Sequence, residues 1–233
     1  MMRLNKYIAT CGFCSRRKAD EYIKSGKVKL NGKMVTHLGV LVNEEKDEVL
    51  VENKKIRLED KKVYILLNKP KGYITTSHEQ FSRKSVMDLL REEVRVFPVG
   101  RLDMYTDGLL LLTNDGEFAN CLTHPKHHIS KVYRIVSKEV ITDEQIERLK
   151  QGVDIGDYMT KEAMVVRVSE KIIKITIWEG KNRQIRRMCE AVGIPLIHLT
   201  RIQIGTVKLK DLPTGKYRYL TEKEKNSLYK KEC

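Results

Sequence analysis

Phe97-Pro98-Val99-Gly100-Arg101-Leu102-Asp103-Met104-Tyr105-Thr106-Asp107-Gly108-Leu109-Leu110-Leu111-Leu112-Thr113-Asn114-Asp115-Gly116 contains two extended segments and a short polar connection between them. Phe97 to Val99 leads in, and Leu109 to Thr113 is an apolar run bounded by Gly108 and by Asn114-Asp115-Gly116, so both read as β-strands. The connection carries a carboxylate, Asp103, two residues after a guanidinium, Arg101. Loops at strand ends are where a rigid scaffold holds chemistry, which makes Asp103 a candidate catalytic group. By residue type alone an Asp in such a connection is more often a turn cap. Both readings stand at this point.

Outward from that stretch, Val63 to Leu67 reads as a strand, Asn68-Lys69-Pro70-Lys71-Gly72 as a turn and Tyr73 to Thr76 as another strand. Ser85 to Asp88 is a capping box opening a short helix, and Thr142 to Gln145 a second one, opening a helix that closes near Gly152. Lys131 to Val136 is a strand. Ala163 to Val168 and Lys171 to Trp178 form a hairpin, with Ile173, Ile175 and Ile177 alternating against Lys174 and Thr176. Asn182 to Val192 is helical and stops at Gly193, and helical spacing puts Arg183 on one face with Arg186 and Arg187. Strands and short helices alternate without a regular strand-helix-strand repeat, so the expected fold class is α+β with a mixed, largely antiparallel sheet.

Residues 1–58 read differently. Leu4, Ile8 and Cys11 follow helical spacing as far as Gly12, Ser15 can cap a second helix containing Ala19, Tyr22 and Ile23, and Gly26 ends it. Val28 to Val35 is a hairpin on Asn31-Gly32, and Val49 to Val51 a further strand. Arg16, Arg17 and Lys18 fall in the first turn of the second helix, where positive charge opposes the macrodipole. Folding does not favour them there, whereas a phosphate at a helix N-terminus would. A merely solvated basic face is the alternative. The charged run 59–62 is the expected linker, giving domains of 1–58 and 63–233.

Of 233 residues 41% are hydrophobic, enough for one sizeable core and a small second module. The net charge is +14, from 45 Lys+Arg against 31 Asp+Glu, and such a surplus suits a nucleic-acid partner. It is concentrated: residues 1–35 hold nine basic and two acidic side chains, residues 36–60 four basic and seven acidic. No apolar run approaches the roughly 20 residues that span a bilayer, and no signal-peptide core follows the N-terminus. The expectation is a cytoplasmic protein with no membrane association. Cysteines at 11, 14, 121, 189 and 233 are scattered and odd in number, which suggests reduced thiols and no bridges.

The stretch Gly100 to Gly116 resembles the catalytic motif of the ribosomal-RNA pseudouridine synthases of the RsuA/RluB/RluF family, matching Gly-Arg-Leu-Asp-x-x-Thr/Ser-x-Gly-Leu-Leu-Leu-Leu-Thr-Asn-Asp-Gly nearly throughout. Lys131-Val132-Tyr133 is similar to that family's second motif and Glu179 to Met188 to its third. Arg3 to Ile8, Ser15 to Asp20 and Leu30 to Lys33 together resemble the small RNA-binding domain of ribosomal protein S4, which precedes the catalytic domain in the family. The resemblance implies that Asp103 is the catalytic carboxylate, that Tyr133 stacks on the target uracil, that Arg186 pairs with Asp103, and that Leu199 packs under the site. It also implies that Arg101 fills the space vacated by a flipped nucleotide. Arg183 and Arg187 are expected to bind substrate phosphates. The RNA-binding set is Arg3, Lys6, Arg16, Arg17, Lys18 and Lys33.

The implied activity is isomerisation of a uridine to pseudouridine, with large-subunit ribosomal RNA the favoured substrate and small-subunit RNA the alternative. The substrate supplies its own leaving group and nucleophile, so neither cofactor nor metal is expected. Cys11-Gly12-Phe13-Cys14 lacks the second pair of ligands that structural zinc requires, and no glycine-rich nucleotide loop or Gly-x-Ser-x-Gly elbow occurs. The absence of the glycine-rich loop weighs against a methyltransferase. A catalytically silent RNA-binding assembly factor is the other rival, although it would have no use for Asp103, Tyr133 and Arg186 together. The expected partners are ribosomal RNA and ribosome-assembly intermediates, with the protein a monomer.

Overall fold

The computed structural model describes residues 1–59, 61–76, 83–92 and 94–232, residues 230–232 as backbone alone. The chain forms two compact units. One comprises Met1–Val63, Glu92–Val96 and Asn114–Gly116, the other Tyr64–Arg91, Phe97–Thr113 and the chain from Glu117 onward.

The smaller unit runs β1 (Met2–Arg3), α1 (Leu4–Thr10), α2 (Arg16–Lys24), β2 (Val28–Leu30), β3 (Lys33–Val35), β4 (Leu41–Val42), β5 (Val49–Val51) and β6 (Lys54–Ile56). The Ser15 side chain accepts the Lys18 N–H at 3.2 Å and so caps α2, a contact worth about 1 kcal/mol. Asn31 and Gly32 both have positive φ, 50° and 77°, as the two-residue turn between β2 and β3 demands. Strands in the order β3-β2-β5-β6 form an antiparallel sheet. Leu4, Ile8, Ala19, Ile23, Val28 and Val51 make the core. The linker expected at 59–62 includes residue 60, which lies outside the described residues. Beside it, Asn114 accepts the Val63 N–H at 2.9 Å and donates to the Lys61 carbonyl at 2.7 Å.

The larger unit contains β7 (Tyr64–Lys69), β8 (Phe97–Val99), β9 (Asp107–Thr113), α3 (Gly116–Thr123), β10 (Lys131–Ser137), α4 (Asp143–Gln151), β11 (Met164–Ser169), β12 (Ile172–Ile177), α5 (Gln184–Ala191), β13 (Leu196–Ile204), β14 (Val207–Lys208), β15 (Tyr217–Tyr219) and α6 (Glu222–Glu232). Its nine-stranded sheet has the order β11-β12-β10-β13-β9-β7-β15, with β8 on β9 and β14 on β13. Every strand pairing is antiparallel except that of β9 with β13, so the fold is α+β with a mixed, largely antiparallel sheet. Leu109 to Leu112 are fully buried in β9 because neighbours cover both faces, and a continuous apolar run is what such a strand requires. Leu66, Leu109, Leu111, Phe118, Leu122 and Ile204 belong to a hydrophobic core cluster of this unit.

Several local expectations change. β7 continues through Asn68 and Lys69, taking both out of the expected turn, because Lys69 pairs with Gly108 across the sheet. Tyr73 to Thr76 is not a strand but makes one bridge, Ile74 with Ser85; the Thr75 hydroxyl is instead tied to the Leu102 main chain. The capping box at Ser85 opens a 3-10 turn, Val86–Leu89. Cys11, Cys14 and Cys189 are free thiols, and Cys233 lies outside the described residues. Among the described residues no helix is long and apolar enough to cross a membrane.

Candidate active site

Gly100 turns the chain out of β8 at φ 74°, and the loop 101–106 then carries Asp103 across the strand ends before β9 begins. Asp103 caps that loop: its Oδ1 accepts the Tyr105 N–H at 2.9 Å and its Oδ2 the Thr106 hydroxyl at 2.7 Å. The turn-cap reading therefore holds, and it fixes the rotamer of the same carboxylate that the catalytic reading needs. Beneath the loop lies Lys69, fully buried. Its ammonium donates to the carbonyls of Pro70, Asp103 and Thr106 at 3.0, 3.1 and 2.9 Å. Burial brings the Lys69 pKa down to about 8, against the pull of Asp103 and Asp107.

Arg186 reaches the carboxylate from the first turn of α5. Its Nε stands 3.3 Å from Asp103 Oδ2, and its Nη2 donates to Thr106 Oγ1 at 3.1 Å. Thr106 thus donates to the acid and accepts from the base. Both charged side chains are about four-fifths covered. Burial alone would raise the Asp103 pKa, but the Thr106 hydroxyl, the Arg186 charge and the Tyr105 N–H together hold it below the usual carboxylate value. The result is a desolvated carboxylate that stays ionised.

A cavity of about 450 Å³ opens onto this carboxylate and is lined by Arg101, Asp103, Tyr133, Arg183, Arg186 and Leu199 among others. Tyr133 and Leu199 come from adjacent strands β10 and β13 and are buried. Six of the seven catalytic and substrate-binding residues expected from the sequence are therefore brought together. Arg187 is not: its guanidinium donates to the Ile155 carbonyl and pairs with Asp157. Arg183 lines the cavity but is not helical, since it stands at the N-cap of α5 with φ 49°. Helical spacing does not describe it.

Gly108 follows the loop that carries Asp103. It pairs with Arg201 across the parallel contact of β9 and β13, at φ 102°, and a Cβ there would collide with the Arg201 carbonyl oxygen. Next to it Asp107 Oδ2 meets His198 Nε2 at 2.7 Å, and His198 Nδ1 meets the Lys71 ammonium at 2.8 Å. Sequence reasoning missed Lys69, Thr106, Asp107 and His198. Of these only Thr106 carried a signal, as the hydroxyl residue three places after Asp103.

In the smaller unit Arg3, Arg16, Arg17, Lys18 and Lys33 are exposed and Lys6 is half-buried. Lys18 pairs with Glu21 at 2.7 Å. The first turn of α2 holds no acidic residue.

An ionised carboxylate beside an aromatic ring and three guanidinium groups, in a cavity of nucleoside size, suits a negatively charged chain that presents one base. Comparison with known proteins gives the same direction. The RNA pseudouridylate synthase family matches residues 63–191 and the S4 domain residues 2–49. The ribosomal large subunit pseudouridine synthase B of Bacillus subtilis (strain 168) is 45% identical over 231 residues, covering 96% of this chain and 94% of that protein. The dual-specificity RNA pseudouridine synthase RluF of Escherichia coli (strain K12) is 40% identical over 231 residues, covering 98% of this chain and 79% of that protein. A crystal structure of a pseudouridylate synthase superposes with a TM-score of 0.72 at 30% identity, covering 98% of this chain and all of that one.

Proposed function

The chain belongs to the RNA pseudouridylate synthase family, and on that premise we propose that it converts a uridine of large-subunit ribosomal RNA to pseudouridine. The N1–C1′ bond breaks, the uracil turns, and a C5–C1′ bond forms while C5 loses a proton and N1 gains one. The product is an isomer, so the reaction consumes no other reagent.

Asp103 is the catalytic carboxylate, attacking C1′ or removing the 2′ proton. Arg186 keeps it ionised and oriented, and Tyr133 offers its ring to the extruded base, in exchange for the stacking lost on leaving the helix. Arg183 meets the RNA backbone, Arg101 fills the space that the flipped nucleotide vacates, and Leu199 packs under the site. Arg3, Lys6, Arg16, Arg17, Lys18 and Lys33 dock the RNA through residues 1–58, joined by 59–62 to a catalytic domain of 63–233. The protein works as a monomer in the cytoplasm, on ribosomal RNA in assembly intermediates.

The observation that carries this reading is the Asp103 carboxylate, held by Thr106 and Arg186 on the wall of a cavity that Tyr133 also lines. Incubating unmodified large- and small-subunit ribosomal RNA with the protein alone, then mapping carbodiimide adducts, tests it. One new adduct in the large-subunit RNA is expected. An adduct in the small-subunit RNA would redirect the substrate, and none in either would leave an RNA-binding factor without this chemistry.

A further inference from the structure

Beside the cavity that holds Asp103 lies a second one, of about 390 Å³. The two share Gly100, Arg101, Tyr133, Gly180 and Lys181 as lining. Two of those five are glycines, so no side chain at those positions stands between the cavities. Tyr133 borders both.

The charge of the second cavity is lopsided. Arg101, Lys131, Lys161, Lys181 and Arg201 line it, against one carboxylate, Glu179. That carboxylate is already committed within the chain: it accepts from the Tyr158 hydroxyl at 2.8 Å, from the Lys161 N–H at 3.1 Å and from the Gln184 side chain at 2.5 Å. Arg201 is 3% exposed. Its Nε donates to the Leu109 carbonyl at 2.8 Å, but its Nη2 is buried and has no hydrogen-bond partner. A buried guanidinium N–H left unmade is costly, and the catalytic constellation around Asp103 does not use it. Lys131 is close enough to Arg201 to feel its charge. Burial first, and that repulsion second, bring its pKa down to about 8. An anion between these two cations would relieve the repulsion and supply the missing acceptor.

Part of the remaining wall is aromatic, beside aliphatic residues such as Leu111, Leu122 and Ile204, and the Lys181 ammonium lies 4.1 Å from the centre of the Tyr158 ring. Trp178, Tyr158, His124 and His128 all line this cavity and not the first, and rings of this kind accept a nucleobase without regard to its hydrogen-bonding edge. Buried cations with aromatic walls suit one phosphate with one base. The shared border with the uridine cavity makes a neighbour in the same strand the natural source.

We propose that the second cavity is a subsite for a nucleotide flanking the target uridine, its phosphate meeting Arg201 and Lys131 and its base lying against Trp178, Tyr158 and His128. This rests on the uridine-isomerising reading above and extends it: the enzyme reads a neighbour as well as the target.

The test uses the full chain and a synthetic RNA fragment spanning the uridine found by adduct mapping, made in three forms: unmodified, abasic at the 5′ neighbour, and abasic at the 3′ neighbour. Two variants remove different parts of the aromatic wall. In Trp178→Leu the indole is lost; in His128→Asn the imidazole is lost while the left-handed backbone at φ 50° remains comfortable. With the parent, one abasic fragment should lose about tenfold in kcat/KM, roughly 1.4 kcal/mol. With either folded variant the same abasic change should cost less than about twofold, because the contact is already gone. Equal losses in the parent and the variants, or no loss with either abasic fragment, would overturn the subsite while the unmodified fragment still certified the isomerase. Failure of the parent to convert the unmodified fragment would instead sink the isomerase reading, and the subsite with it.

Discussion

Thr106 and Asp103 are joined by a 2.7 Å hydrogen bond in which the threonine hydroxyl donates to Oδ2, and the same hydroxyl accepts from Arg186 at 3.1 Å. The hydroxyl therefore orders acid and base in one relay, and it is closer to the carboxylate than the Arg186 Nε at 3.3 Å. Thr106→Val should raise the Asp103 pKa, because a bond to the charged form is lost. Activity requires the ionised acid and disappears as pH falls through that pKa, so the acidic limb of the pH–rate profile should move to higher pH. The direction follows from the Thr106 hydroxyl's being one of the groups that hold this carboxylate below its usual value. A profile in kcat that superposes on the parent's would show that the hydroxyl does not tune the acid.

Asp103→Asn should bind ribosomal RNA nearly as the parent does and turn over at least about a thousandfold more slowly, roughly 4 kcal/mol of barrier. Filter binding and single-turnover conversion measure the two separately. Retention of rates within about tenfold would remove Asp103 from the chemistry.

The three arginines of the third motif should separate. Arg186→Met should lower kcat about a hundredfold or more with little change in affinity, since it acts through Asp103. Arg183→Met should weaken binding and flatten its salt dependence. Arg187→Met should do neither, because its charge is taken up by Ile155 and by Asp157, an exposed partner whose ion pair contributes about 0–1 kcal/mol. A binding loss in Arg187→Met as large as that in Arg183→Met would contradict this partition.

Lys69→Met would take this donor from the Pro70 and Thr106 carbonyls and leave the Asp103 carbonyl with the Thr106 N–H alone. Urea unfolding should show a loss of about 2–4 kcal/mol, with activity falling as the Asp103 loop loosens. Full stability in this variant would mean that those carbonyls have other partners.

Replacing Arg16 and Arg17 together by Ala should reduce RNA affinity and lower the slope of log affinity against log salt by about 1.4–1.8, at 0.7–0.9 for each phosphate contact. The single-turnover rate at saturating protein should not change. An unaltered slope would point to a protein partner for that helix.

What could be read from the sequence was what neighbours in the chain decide. Ser15 caps α2 and Thr142 with Gln145 caps α4 through bonds spanning three residues, and the alternation of Ile173, Ile175 and Ile177 fixes a strand face by itself. What stayed hidden depends on distant segments. Asn68 and Lys69 look like turn residues until β9 pairs with them, and α3 has too little helical signal outside the core that receives Phe118. Arg183 leaves the helix pattern because its backbone takes a left-handed conformation, and the partner of Arg187 lies some 30 residues away. The smaller unit also draws in Glu92–Val96 and Asn114–Gly116, which no composition change along the chain marks.

Because Gly108 has no side chain, β9 and β13 meet main chain against main chain at Arg201. A Cβ at position 108 would push β9 away from β13 at Arg201, beside Asp107 and the loop 101–106 that carries Asp103. The placing of the loop that carries Asp103 is therefore tied to how closely these two strands approach, a distance that only glycine at position 108 permits.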